Sequence, residues 1–122
     1  MKKVLVVEDD QFLANAYKLK LTKSGFDVVI AFDGAEALQA MRESVPDVVL
    51  LDLIMPNVDG FACLDAMQAD EKLKKIPVII ASNLGQKEDI ERAKSLGAVD
   101  FIIKSNVSIE EIVQKVTAVI GA

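Results

Sequence analysis

Glu8, Asp9 and Asp10 directly follow the apolar run Val4–Val7, and Asp52 directly follows the apolar run Val48–Leu51. Short apolar runs of this kind read as buried strands. Each acidic group then stands where a strand leaves its sheet. In open α/β sheets, ligands bind outside the carboxyl ends of the strands. Two more segments that read as strands end in polar groups: Ser82 and Asn83 follow Val78–Ala81, and Lys104 follows Val99–Ile103. If the strands are parallel, all these ends share one edge. Carboxylates gathered there repel each other unless a cation neutralises them. Oxygen-only ligands select Mg²⁺, with Mn²⁺ or Ca²⁺ as substitutes. Lys104 offers a point charge for a phosphoryl oxygen, and Ser82 offers a hydroxyl donor. Metal, carboxylate, lysine and hydroxyl together suit phosphoryl transfer. Singly, each residue has a plainer reading. Asp10 reads as the cap of the next helix, Ser82 as a turn residue and Lys104 as a solvated charge. Their coincidence at successive strand ends is what points to a site.

The rest of the sequence narrows the chemistry. The chain has no histidine, which excludes a Ser-His-Asp or Cys-His site and an imidazole zinc site. Its net charge of −5, with lysines scattered along the chain, argues against a nucleic-acid surface. Cys63 is the only cysteine, so no internal disulfide can form. It reads as a small buried hydrophobe in a cytoplasmic protein. The apolar run behind Met1-Lys2-Lys3 is too short for a signal peptide or a membrane span.

Strand and helix patterns alternate along the chain. Gln11 to Ser24 reads as a helix with Phe12, Leu13, Ala16 and Tyr17 on one face, closed by Gly25. Val28–Ala31 is the second strand. Asp33-Gly34-Ala35-Glu36 is a capping-box pattern that opens a helix with Ala37, Leu38 and Met41 inward. A loop from Asp52 to Asp59 leads into a helix over Gly60–Asp70. Pro77 starts the fourth strand, where its missing N–H is tolerated. Gln86–Leu96 is a helix closed by Gly97. Ser108-Ile109-Glu110-Glu111 is a second capping box. It opens a helix with Ile109, Ile112, Val113, Val116 and Ile120 at helical spacing. Apolar strands separated by amphipathic helices predict a parallel sheet covered on both faces. Right-handed crossovers then give a doubly wound (βα)5 α/β structure. The 122 residues read as one domain with no output domain.

With these residues in place, the chain resembles a response-regulator receiver domain across essentially its whole length. The matching residues are Val4-Leu5-Val6-Val7-Glu8-Asp9-Asp10, Leu51-Asp52 through Met55-Pro56 to Asp59-Gly60, Ile80-Ala81-Ser82-Asn83, the segment Ala93–Asp100 and Phe101-Ile102-Ile103-Lys104. The Asp-x-x-Met-Pro-x-x-Asp-Gly stretch is highly specific after a buried strand. The resemblance implies a flavodoxin-like three-layer sandwich with sheet order 2-1-3-4-5. It implies Asp52 as phosphoacceptor, with Glu8, Asp9, Asp52 and the Ile54 backbone carbonyl as ligands of Mg²⁺. Ser82 and Lys104 would grip phosphoryl oxygens. Ser82 would also report the phosphoryl group to Phe101, at the family's aromatic switch position. The implied partners are a histidine kinase or phosphotransfer protein that donates the group, and a downstream target protein. Neither nucleic acid nor membrane would be bound, and the chain would be a monomer or a phosphorylation-dependent dimer.

Several residues depart from the family pattern. Ser105 stands where proline usually follows the lysine through a cis bond. A cis bond without proline costs about 2.5–4 kcal/mol, which points to a trans bond and a changed seat for Lys104. Asn83 is larger than the small residue often found there and narrows access to Asp52. Phe101 has no phenol hydroxyl, so packing alone would hold an inward ring. Ile54 and Leu84 cannot orient a hydrolytic water, so self-dephosphorylation should be slow. Two other functions use similar parts. A Mg²⁺-dependent phosphohydrolase needs a general acid, commonly two residues after the nucleophile, and that position is Ile54. A pseudo-receiver would keep the fold as an interaction module without phosphorylation. The full polar set argues against it, and Ser105 leaves it open. Glu110, Glu111, Gln114 and Lys115 on the last helix read as an ordinary solvated face.

Overall fold

The computed structural model describes residues 1–55, 57–83 and 85–120. Strands and helices alternate: β1 (Lys3–Val7), α1 (Gln11–Lys23), β2 (Asp27–Ala31), α2 (Gly34–Glu43), β3 (Val48–Leu51), α3 (Gly60–Gln68), β4 (Val78–Ser82), α4 (Lys87–Ser95), β5 (Asp100–Ile103) and α5 (Ile109–Ile120). All strand pairings are parallel, in the order β2-β1-β3-β4-β5. This is the doubly wound α/β sandwich that the alternation predicts. Gly25 and Gly97 close α1 and α4 at φ +94° and +98°. Short 3-10 helices at Leu73–Lys75 and Lys104–Asn106 have no counterpart in the sequence reading.

Strand alternation splits the core into two layers. Leu5, Val7, Val49, Leu51 and Ile80 face Ala37, Met41, Leu64, Met67 and Ala93. Val4, Val6, Val48, Leu50, Ile79 and Ile102 face Tyr17, Leu21, Ile112, Val113 and Val116. Burial on both faces is why β1, β3 and β4 read as apolar runs, while the edge strands β2 and β5 are only partly buried. One expectation about α1 needs correction. Its buried residues are Ala14, Tyr17 and Leu21, while Phe12 is 91% exposed. Phe12 lies roughly 200° of helix rotation from Ala14, so the two cannot share a face.

Helix starts follow their caps. Asp33 Oδ1 accepts from the Glu36 amide at 2.8 Å, and Glu36 Oε1 accepts from the Phe32 amide at 3.2 Å. At α5 the box is reciprocal: Ser108 Oγ accepts from the Glu111 amide at 3.2 Å, and Glu111 Oε1 accepts from the Ser108 amide at 3.4 Å. Asp10 caps α1, with Oδ1 accepting from the Leu13 amide at 3.2 Å.

Candidate functional site

Register brings the acids together. Val7 pairs with Leu51, so Glu8 and Asp52 are the next residues on neighbouring strands. The Asp52 amide donates to the Val7 carbonyl, and the Glu8 amide to the Ala31 carbonyl, each at 3.0 Å. Both backbones are therefore fixed to the sheet edge. Ser82 pairs with Ile103, so Lys104 is the next residue beyond that pair. The expected convergence at the carboxyl edge is observed for Glu8, Asp9, Asp52 and Lys104. They line a cavity of about 350 Å³ with Asp10, Leu13, Ile54 and Asn83. Ser82 is fully buried and takes no part in that lining. A groove of about 400 Å³ lies among Met41, Arg42, Asp70, Glu71 and Lys72, but its two acids are matched by two cations. The acid-lined cavity sets Glu8, Asp9, Asp10 and Asp52 against Lys104 alone.

Glu8 and Asp52 are buried, whereas Asp9 is exposed. The Lys104 ammonium bonds to Glu8 Oε1 and lies 2.9 Å from Asp52 Oδ2. It therefore bridges the two buried acids. Burial pushes the Glu8 carboxyl up to about 7, against the lowering influence of Lys104. Burial lowers the Lys104 ammonium, but the Glu8 and Asp52 carboxylates outweigh it and the net shift is upward. A buried acid raised in this way gains from any added positive charge.

One carboxylate oxygen each from Glu8, Asp9 and Asp52 lies within 4.8 Å of the other two. That is an all-oxygen donor set suited to a hard divalent ion. The Ile54 amide donates to Asp52 Oδ1 at 3.2 Å, which orients the Asp52 carboxylate. The Ile54 side chain is 56% exposed beside the cavity. Leu84, expected to flank the site, lies outside the described residues, as does Pro56 of the Met-Pro pair. Phe101 is half-buried and packs against the core layer that contains Leu64 and Ala93. No cis bond occurs among the described residues, so the Lys104–Ser105 bond is trans.

The loop that bears Asp52 is held from two sides. A Cβ at Gly60 would lie 2.4 Å from the Asp52 carbonyl oxygen, so only glycine lets α3 begin this close. The Gly60 amide also donates to the Leu53 carbonyl at 3.0 Å. On the other side, Asn57 Nδ2 donates to Asp33 Oδ2 at 2.8 Å, and the Gly34 amide donates to the Val58 carbonyl at 2.9 Å. Asn57 adopts φ +63°, a conformation asparagine tolerates better than most residues. Sequence reasoning missed the Asp33–Asn57 bond. The capping box was the only signal at Asp33, and a second acceptor oxygen leaves no trace in a pattern.

The sequence matches the family model described as "Response regulator receiver domain" over residues 4–117. It is 32% identical over 120 residues to the DNA-binding dual master transcriptional regulator RpaA of Synechocystis, covering 98% of this chain and 49% of that protein. The chain thus spans about half the length of that regulator. It is 30% identical over 120 residues to the polar-differentiation response regulator DivK of Brucella ovis, covering 98% of this chain and 97% of that one. Among solved structures, the receiver domain of Francisella response regulator 1452 superposes with a TM-score of 0.90 at 33% identity, covering 99% and 98% of the two chains. Vibrio cholerae chemotaxis protein CheY4 superposes with a TM-score of 0.90 at 27% identity, covering 98% of each. An acid-edged parallel sheet and a sequence match over most of its length agree: the chain belongs to the family of response-regulator receiver domains.

Proposed function

We propose that this receiver domain is a phosphorylation-driven signalling switch with Asp52 as the phosphoacceptor. The supporting observation is the bridge from Lys104 to both Glu8 and Asp52 in the lining of an acidic cavity. A carboxylate nucleophile must be approached by an anionic phosphoryl group, and one lysine cannot offset three carboxylates. A divalent cation held by Glu8, Asp9, Asp52 and the Ile54 carbonyl would supply that charge, with Mg²⁺ the best match to the donor set.

An Asp52 carboxylate oxygen attacks the phosphorus of a phosphohistidine on a partner kinase or phosphotransfer protein. The phosphorus–nitrogen bond breaks and its electron pair stays with the imidazole. An acyl phosphate forms on Asp52. Lys104 then exchanges a carboxylate partner for a phosphoryl oxygen of higher charge. Ser82, next to Lys104 across the sheet, donates its hydroxyl to another oxygen. Movement of Ser82 toward the phosphoryl group opens space for Phe101, and the surface formed by α4, β5 and α5 changes for a downstream partner. In this reading the protein is a cytoplasmic signalling component rather than an enzyme. Among the described residues, no helix is long and apolar enough to cross a membrane.

Intact mass after incubation with acetyl phosphate tests the assignment. One phosphoryl adduct is expected with Mg²⁺, and none without Mg²⁺ or in Asp52→Asn. An undiminished adduct in Asp52→Asn places the acceptor elsewhere. With the exposed, apolar Ile54 beside Asp52, the adduct should also outlast removal of acetyl phosphate. Rapid loss from the purified protein rejects that slow-hydrolysis reading.

A further inference from the structure

Asn83 and Ser105 lie in different loops, yet the Ser105 amide donates to Asn83 Oδ1 at 3.1 Å. The same loops meet at a second point. A Cβ at Gly85 would come within 2.8 Å of Ile103 Cδ1, so Gly85 lies close against the end of β5. These are the two strand ends that present Ser82 and Lys104. Asn83 and Lys104 both line the acidic cavity.

The backbone around Lys104 needs such an anchor. It enters the 3-10 helix Lys104–Asn106, whose preceding residue, Ile103, makes no side-chain capping bond. The first amides of a helical turn lack partners within the turn. The Asn83 side chain supplies one for Ser105 from across the loop gap. Lysine is a flexible stem with a charge at its tip, so its reach depends on where its backbone is held.

We propose that Asn83 is a positioning residue for Lys104. Through the Ser105 amide it holds the turn at the height from which the ammonium meets Asp52, and so it sets the rate of phosphoryl uptake. A preset cation stabilises developing charge without reorganisation. This role rests on the reading of Asp52 as phosphoacceptor.

The test measures the rate of Asp52 phosphorylation by acetyl phosphate at saturating Mg²⁺. The donor is a backbone amide, so Ser105→Ala retains the bond and should react at the wild-type rate. Asn83→Ala removes the acceptor and should slow uptake about three- to tenfold, the span expected for one ordinary hydrogen bond. In a Lys104→Ala background, Asn83→Ala should cause no further slowing. Asn83→Ala also widens access to Asp52, so Asn83→Leu, which removes the acceptor but keeps the bulk, is the deciding variant and should be slowed over the same range. Asn83→Leu at the wild-type rate or faster overturns the proposal, as does equal slowing by Asn83→Ala with Lys104 absent. A wild-type protein that accepts no phosphoryl group overturns the phosphoacceptor reading itself, and this role with it.

Discussion

The helices on either side of β5 are held by different forces. α5 buries Ile112, Val113 and Val116, packs Ile109 and Ile120 against the same core layer, and opens on a reciprocal capping box. α4 buries only Ala93 and has no side-chain cap. Its remaining support is mostly local. Glu88 and Asp89 sit in its first turn and Arg92 and Lys94 near its end, which suits the helix dipole. The Lys87–Glu91 pair at 3.9 Å is fully in water and adds little. One contact ties its side to the body: the Arg92 guanidinium stacks over the Phe61 ring at 4.1 Å. α5 is a helix because of what it packs against, whereas α4 is a helix by its own composition. An element of the second kind can shift without dismantling a core. If phosphorylation moves any helix here, α4 costs least.

The largest effect that would break this contrast is in α5. Ile112→Ala removes a side chain that is 2% exposed and should destabilise the fold by about 2–5 kcal/mol in urea unfolding. A loss below about 1 kcal/mol would mean that α5 is no better rooted than α4.

The same contrast governs how much was legible in the sequence. Five strands and five helices could be read because burial on both sheet faces leaves apolar runs, and because caps and glycines mark helix ends. The convergence of Glu8, Asp9, Asp52 and Lys104 was legible too, since parallel topology sends every strand end to one edge. What failed depended on partners that leave no pattern. Phe12 was assigned to the buried face because α1 has apolar residues all round, and only the sheet decides which of them point inward. The Lys104 bridge, the Asp33–Asn57 bond and the Asn83–Ser105 bond each join residues remote in sequence by single polar atoms. No periodicity encodes such a pair. α4 was legible as a helix, but its weak docking was not, because the cation–ring contact that holds it has no sequence signature.

A smaller effect separates the capped helices from α4 by pH. Asp33 caps α2, and bonds from the Glu36 amide and then from Asn57 hold its carboxyl below the usual range. A carboxyl lowered by folding stabilises the protein above its unfolded value of about 3.9, and that contribution is lost as pH falls through the folded value. Asp33→Asn keeps a capping oxygen and removes the titration. Its unfolding midpoint should therefore change less with pH than the wild type's as pH falls from 5 toward 3. Parallel profiles would assign the acid sensitivity to other carboxylates.

The smallest effect tests the contact that holds α4. Arg92→Ala removes the stack on Phe61 and should cost about 0.5–1 kcal/mol of global stability. Alanine is at least as good a helix former as arginine, so the helix itself is not weakened by the change. The informative readout is amide exchange. Loss of a latch frees α4 alone, so its amides should exchange faster while those of α5 keep their protection. Phe61→Leu preserves an apolar side chain but not the ring face, and should reproduce the α4 effect. Acceleration in both helices would show that Arg92 supports the whole fold, and no acceleration in either would leave Ala93 as the anchor. Confinement to α4 would make the Arg92–Phe61 pair the restraint that a phosphorylation signal has to release.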